Sequence, residues 1–129
     1  MKKFFAILYL ALITNICLAQ EKHISYIEKT NSMYFVYDES GKKISTLSRS
    51  GIGVIKGWGS TFFIAQRGSL YLICDAKGKT LKTLGAQTIG KILSVSGNTF
   101  TSQNGSFIYT YNKEGKCIKT RGATTKDKQ

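Results

Sequence analysis

The sequence predicts an all-β protein built from three copies of a four-stranded antiparallel meander. Three observations support this prediction. The chain repeats itself with a period of 37 residues. Short apolar runs of strand length alternate with glycine-containing turns. The 129 residues include no proline, and few segments carry the residues that begin and end helices.

The repeat is clearest between residues 60–86 and 97–123, which are identical at ten of 27 positions. Residues 23–49 and 60–86 are identical at eight of 27 positions. No insertion or deletion interrupts either alignment. Self-similarity at a fixed period of this length indicates a repeat architecture, so one domain of three structural units is expected.

Each copy divides into strands A to D. In the second copy the strands are expected at 53–58, 61–66, 70–75 and 79–84, and in the third at 91–96, 99–103, 107–112 and 116–120. The first copy lacks strand A because that part of the period falls on the N-terminal segment. The link from strand D to the next strand A is the longest connection. We expect no helix there, nor elsewhere in the middle of the chain.

A tight hairpin turn joins strands C and D in every copy. An Asp or Asn begins the turn, and a glycine follows three residues later. Glycine adopts positive φ at little cost, and the Asx side chain can hydrogen-bond the turn backbone. The structural turn residues are therefore Asp38 with Gly41, Asp75 with Gly78, and Asn112 with Gly115.

Strands C and D indicate how the units are arranged. The C strands read MYFVYD, LYLICD and FIYTYN, which are apolar on both faces, as in a propeller blade packed between two neighbours. The D strands carry lysines among apolar residues, which is typical of an exposed edge. Propeller-blade-like sheets are therefore predicted. A β-trefoil and a three-sheet β-prism remain as alternatives.

The third copy resembles a blade of the NHL-type β-propeller family. The resemblance is carried by Gly97-Asn98 before strand B, Gly105 after it, and an aromatic-Asx pair that closes strand C. Next come Gly-Lys, an apolar residue and a basic-Thr pair; these residues are Tyr111, Asn112, Gly115, Lys116, Ile118, Lys119 and Thr120. The second copy departs from the pattern, with Ser60-Thr61 and Cys74 at the corresponding positions. The resemblance implies blades and no particular activity.

The N-terminus has the composition of a secretory signal peptide. A basic start, an apolar stretch and a small-residue exit ending at Ala19 predict cleavage after that residue. The expected organisation is a signal peptide at 1–19, a three-repeat domain at 20–122 and a polar tail at 123–129, in a secreted or periplasmic protein. Residues 20–129 contain 17 lysines and arginines against 7 acidic residues, a net charge of +10.

No residue pattern predicts catalysis, a metal site or a cofactor. Cys74 and Cys117 lie in different copies, and stacked sheets sit about 10 Å apart, beyond disulfide reach, so both thiols are expected to be free. His23 is the only histidine, and most acidic residues lie in or beside hairpin turns. We therefore expect a protein that is not an enzyme.

The sequence favours a macromolecule-binding module, with a protein as partner. A lectin-like or anionic-polysaccharide-binding module is the alternative, because the positive charge favours anionic partners. Nucleic acid and membrane are not expected as partners, and a homodimer is a candidate assembly. Candidate binding residues are Trp58, Arg67 and Lys91, although Trp58 aligns with Val95, an apolar strand position that favours burial.

Overall fold

The computed structural model describes residues 23–123, which form three antiparallel sheets. Sheet 1 contains β1 (Tyr26–Lys29), β2 (Met33–Tyr37) and β3 (Lys43–Ser48). Sheet 2 contains β4 (Val54–Trp58), β5 (Phe62–Arg67), β6 (Leu70–Asp75) and β7 (Thr80–Gly85). Sheet 3 contains β8 (Lys91–Ser96), β9 (Thr99–Asn104), β10 (Phe107–Asn112) and β11 (Cys117–Gly122). The predicted all-β fold of repeated meanders is confirmed. The predicted signal peptide and nearly all of the predicted tail lie outside the described residues.

Within each sheet, every strand pairs with its neighbour in the sequence. Sheets 2 and 3 have the four strands expected of a complete copy, and sheet 1 has three because it begins at strand B. A bulge interrupts the pairing at the same place in each C–D hairpin, between Val36 and Tyr37, Ile73 and Cys74, and Thr110 and Tyr111. The 37-residue period therefore extends to the irregularities of the backbone.

Sheet 2 packs between the other two sheets. One core layer joins it to sheet 1 and includes Val36, Phe63 and Cys74. A second layer joins it to sheet 3 and includes Phe62 and Phe100. Burial on both faces is what the apolar C strand predicted. The sheets do not close into a barrel, which excludes a β-trefoil. Each wall of a three-sheet β-prism would bury only one face, so burial on both faces of sheet 2 excludes that alternative too.

The described residues form an open stack rather than a closed ring. Each of the two core layers joins neighbouring sheets, and no pair of strands from sheets 1 and 3 is in extensive contact within residues 23–123. Sheets 1 and 3 therefore each have one face that no other described sheet covers.

Glycines on the inner side allow neighbouring sheets to approach closely. A Cβ on Gly57 would lie 2.8 Å from Val95 Cγ2 of the next sheet. Backbone hydrogen bonds also join the segments that precede strand B in successive sheets. Ile24 N donates to Ser60 O at 2.6 Å, and Ser60 N donates to Gly97 O at 2.8 Å. Backbone hydrogen bonds thus join sheet 1 to sheet 2 and sheet 2 to sheet 3 at similar places, with the two donors offset by one residue in the 37-residue period.

Two one-turn helices occupy the links between sheets, which corrects the expectation of no helix. They are α1 (Arg49–Ile52) and α2 (Ala86–Ile89), 37 residues apart. In both links, a tyrosine on strand C of the preceding sheet hydrogen-bonds the glycine that ends the helix. The Tyr34 hydroxyl donates to Gly53 O at 2.9 Å, and the Tyr71 hydroxyl donates to Gly90 O at 2.7 Å. The helices therefore belong to the repeat.

The C–D turns have the same geometry in all three sheets. The Asx side-chain oxygen accepts hydrogen bonds from the backbone N–H groups two and four residues later, at 2.9–3.1 Å. Gly41, Gly78 and Gly115 have φ angles of 82°, 88° and 83°. Each turn therefore presents the lysine that follows its glycine, namely Lys42, Lys79 or Lys116, at an equivalent point of the backbone.

Candidate functional site

The outer side of the stack is basic. Nine of the fourteen lysines and arginines in residues 23–123 lie in the three C–D hairpins, 38–48, 75–85 and 112–122. Five exposed lysines recur at two positions of the period, and we call them the basic margin: Lys42, Lys79, Lys116, Lys82 and Lys119. The margin follows the D strands β3, β7 and β11, which lie at the edges of their sheets. An edge strand with lysines is protected from pairing with stray chains, so these residues also serve the fold.

The fold spaces the basic margin regularly. Neighbouring sheets pack about 10 Å apart, so the three turn lysines form a row with steps of roughly that length. Lys82 and Lys119, each three residues after a turn lysine, form a second and shorter row beside the first. Within the described residues, none of the five ammonium groups has an ion pair, and the single ion pair found there joins His23 to Glu39. The margin therefore presents charge that is available to a ligand.

A hollow of about 440 Å³ lies between the hairpins of sheets 2 and 3. Its lining includes Leu81, Lys82, Lys113 and Glu114. Lys113 Nζ donates to Thr61 Oγ1 at 3.4 Å, which holds that lysine across the gap between the two sheets. The side chain of Leu81 is exposed. The hollow thus combines one apolar side chain with two basic groups and one acidic group, directly beside the margin.

A second surface is the face of sheet 1 that no other described sheet covers, which we call the aromatic face: Tyr26, Glu28, Phe35, Tyr37 and Lys43. Tyr26 pairs with Tyr37 and Glu28 pairs with Phe35 across β1 and β2, so these side chains share a face. Lys43 Nζ lies 4.3 Å from the centre of the Phe35 ring. The Tyr37 hydroxyl donates to Glu28 Oε1 at 3.1 Å, and burial together with this bond raises the pKa of Tyr37.

The candidate binding residues do not form one site. Arg67 is exposed at the end of β5 and donates to Gly51 O of α1 at 2.6 Å. Lys91 is exposed at the start of β8. Trp58 lies at the far end of β4 from the link and is half-buried against the first core layer, with its ring 6.0 Å from that of Tyr26. Trp58 therefore lies at the opposite end of the strands from Arg67 and Lys91.

His23 and the first hairpin turn form a shallow hollow of about 240 Å³, with Asp38, Glu39 and Ser40 in its lining. His23 Nδ1 lies 3.0 Å from Glu39 Oε1, and both side chains are exposed. Within residues 23–123, no three His, Cys, Asp or Glu side chains are grouped so that they could hold a metal ion. No helix among those residues has the length and apolar character needed to cross a membrane.

Ser102 is a buried polar residue that the sequence did not single out. It occupies the repeat position of Ala65, and its side chain is fully buried in sheet 3. Its Oγ makes no hydrogen bond of standard geometry within the described chain, although it is close enough to the Tyr111 hydroxyl to affect the pKa of that phenol. The net pKa of Tyr111 is raised, with burial as the largest cause. The position is a core site and contacts no surface described above.

The two cysteines of the described chain are free, as predicted. Cys74 is fully buried in the first core layer, and burial raises the pKa of its thiol. Cys117 is exposed at the start of β11. Because the thiolate is the reactive form, a maleimide should label Cys117 in native buffer and Cys74 only in denaturant. Peptide mapping by mass spectrometry measures both rates. A Cys117→Ser variant is the control, and equal labelling of both cysteines in native protein would contradict the assigned burial.

Comparison with protein-family models, with curated proteins and with solved structures finds no match to this chain.

Proposed function

We propose that this protein is an exported, non-enzymatic binding module that holds an acidic polysaccharide along its basic margin. The observation that carries the proposal is the recurrence of unpaired lysines at the same two positions of successive hairpins. A row of like charges with a regular step matches a chain molecule whose own charges recur. Attraction of this kind also speeds encounter, because the net charge of the chain favours anionic partners at a distance.

Several weak contacts are needed to make such binding useful. An exposed ion pair contributes about 0–1 kcal/mol, so one lysine alone gives no affinity of note. A polymer that touches three to five lysines at once gains the contacts together, since the second and later contacts form at high effective concentration. The hollow lined by Leu81 and Lys82 lies beside the row and offers an apolar surface for a sugar ring.

The non-enzymatic part of the proposal is supported by the roles of the acidic groups. Asp38 and Asp75 accept backbone hydrogen bonds within their own turns, which is structural work. The NHL-like relationship of the blades also belongs to this proposal. It is supported by the glycine turns, the aromatic-Asx ends of the C strands and the stacked meanders, and it adds no activity of its own.

The test is binding of polygalacturonate, an acidic polysaccharide of uniform charge, at about 50 and 200 mM salt. We expect binding that weakens with salt, because exposed charges are screened within about 10 Å at 0.1 M. Replacing Lys42, Lys79 and Lys116 together by glutamine should weaken binding at low salt by about tenfold, which is about 1.4 kcal/mol spread over three contacts. Neutral dextran should not bind.

The matched control is a triple glutamine variant of Lys29, Lys56 and Lys91. Replacing these three exposed lysines removes the same charge as the first variant, but the residues lie outside the C–D hairpins. We expect this control to lose less than about threefold in affinity. Equal losses in the two triple variants would mean that net charge alone attracts the polymer, and the proposal would be rejected.

A further inference from the structure

We propose that the aromatic face of sheet 1 packs against the outward face of sheet 3 in a second copy of this chain, so that two chains close a six-bladed ring. This inference shares only Lys119 with the basic margin and does not depend on the proposed function. It rests on the repeat, on the hairpin contacts between neighbouring sheets and on the charges at the two ends of the stack.

The aromatic face occupies positions that are packing positions elsewhere in the chain. Phe35 corresponds to Leu72 in sheet 2 and to Tyr109 in sheet 3 by the 37-residue period. Leu72 is buried against sheet 1, and Tyr109 packs into the layer between sheets 2 and 3. In sheets 2 and 3, therefore, this face covers the preceding sheet. In sheet 1 no preceding sheet exists within the described residues.

The outward face of sheet 3 is the matching end of the stack. Thr99, Thr101, Ile108 and Thr110 take the positions that Phe62, Ile64, Tyr71 and Ile73 hold in sheet 2. In sheet 2 these positions face the following sheet. Ile108 is already buried in the single chain, and the three threonines are partly exposed. Their short side chains and high strand propensity leave room for larger aromatic side chains on a partner.

The C–D hairpin tips of sheets 2 and 3 each contact the preceding sheet, and the tip of sheet 1 has no such contact within the described residues. In sheet 2, Gly78 packs on Leu47 of sheet 1, where an added Cβ would lie 2.5 Å from Leu47 Cδ2. In sheet 3, Gly115 packs on Leu84 of sheet 2 in the same way. Gly41 of sheet 1 has no heavy atom within 4 Å of an added Cβ. The next residue in the leucine series is Arg121, so a second copy would bring Arg121 to Gly41.

A neighbouring contact adds charge complementarity. Ser45 Oγ of sheet 1 donates to Ala76 O in the turn of sheet 2 at 2.6 Å. One repeat back from Ala76 is Glu39, and two repeats on from Ser45 is Lys119. The same contact between two copies therefore sets Lys119 of one copy beside Glu39 of the other. Both side chains are exposed in the single chain. The acidic turn Asp38–Glu39 thus meets the basic end of β11.

Pairing of this kind is head-to-tail, because two unlike faces meet. A head-to-tail contact forms a ring when the rotation closes, and otherwise continues into a filament. Two chains of three sheets give six, which lies within the four to eight blades that propellers use. Closure covers both open faces, and each dimer contains the contact twice.

The test is mass under native conditions across a range of about 1–100 µM, with charge reversal at the contact. The purified protein should show twice the mass of one chain. Glu39→Lys and Lys119→Glu should each weaken dimer formation by about a hundredfold, because two like-charge contacts are created per dimer. The double variant should recover most of the dimer. A Glu114→Lys variant, with its charge in the hairpin of sheet 3 but outside the contact, should remain dimeric.

A monomer at every concentration would overturn the proposal, as would a dimer that survives both single reversals. Growth to larger species would also overturn it, because the contact would then form without closing a ring. A further variant, Phe35→Asp, tests the centre of the face and should give a monomer with an unchanged circular dichroism spectrum. Polygalacturonate binding to the Phe35→Asp variant, which keeps all five lysines of the basic margin, tells failure of this proposal apart from failure of the basic margin.

Discussion

Replacing Gly90 by alanine should cost at least about 3 kcal/mol of folding stability. Gly90 ends α2 with φ 88° and ψ −156°, a backbone region that is essentially closed to residues with a Cβ. An added Cβ would also collide with the backbone carbonyl of Gln103 in β9 and lie 3.0 Å from Asn104 Cβ. Backbone atoms of a central strand cannot move aside cheaply. Strain and collision therefore add, and the link between sheets 2 and 3 cannot form as it is.

Urea or thermal denaturation followed by circular dichroism measures this loss. One kcal/mol lowers the melting temperature of a domain of this size by about 4–8 °C, so the shift should exceed 10 °C. The control is Gly105→Ala. Gly105 has φ 64°, in the left-handed region that other residues enter for about 1 kcal/mol, and an added Cβ meets nothing within 4 Å. If the two variants lost similar stability, the collision at Gly90 would be disproved.

Phe62→Ala should be about as damaging, at about 3–5 kcal/mol, because it removes a fully buried ring from the layer between sheets 2 and 3. The ring also lies against the A–B turn, where a Cβ on Gly59 would be 2.7 Å from Phe62 Cε1. The urea midpoint should fall accordingly at an unchanged slope, which would indicate lost stability rather than a changed unfolded state.

Phe107→Ala serves as the matched control, since the same side chain is removed from a site that is 50 % exposed. Its expected cost is below about 1 kcal/mol. Amide exchange adds a second readout for Phe62→Ala. In a stack where each sheet contacts only its neighbours, amides of sheet 3 should lose protection before those of sheet 1. Uniform loss across all three sheets would argue against a stack of that kind.

Much of the fold was predictable from the sequence because its signals are local and recur three times. The Asx-glycine turns determine the C–D hairpins, and the apolar C strands indicate burial on both faces. The one-turn helices were not predictable. A helix of four residues has no periodicity to detect, and neither α1 nor α2 has a side-chain cap at its N-terminus. Packing, through Tyr34 and Tyr71, holds those links in place.

The candidate site was less predictable than the fold. Residue type alone suggests Trp58, Arg67 and Lys91, but strand direction places Trp58 away from the other two. The basic margin was visible in the sequence only as lysines on D strands, whose availability depends on which side chains lie nearby. The aromatic face gave no sequence signal of its own, because Phe35 and Tyr37 look like core residues in any single copy. Only the arrangement of the three sheets in residues 23–123 leaves Phe35 and Tyr37 without a neighbouring sheet.

The hydrogen bonds that run from Ile24 to Ser60 and from Ser60 to Gly97 make each unit a template for the one beside it. A duplicated stretch of 37 residues inserted between two units would meet prepared partners on both sides, while an insertion of any other length would break the series. Such a chain can therefore lengthen by whole units of 37 residues while keeping the contacts between neighbouring sheets.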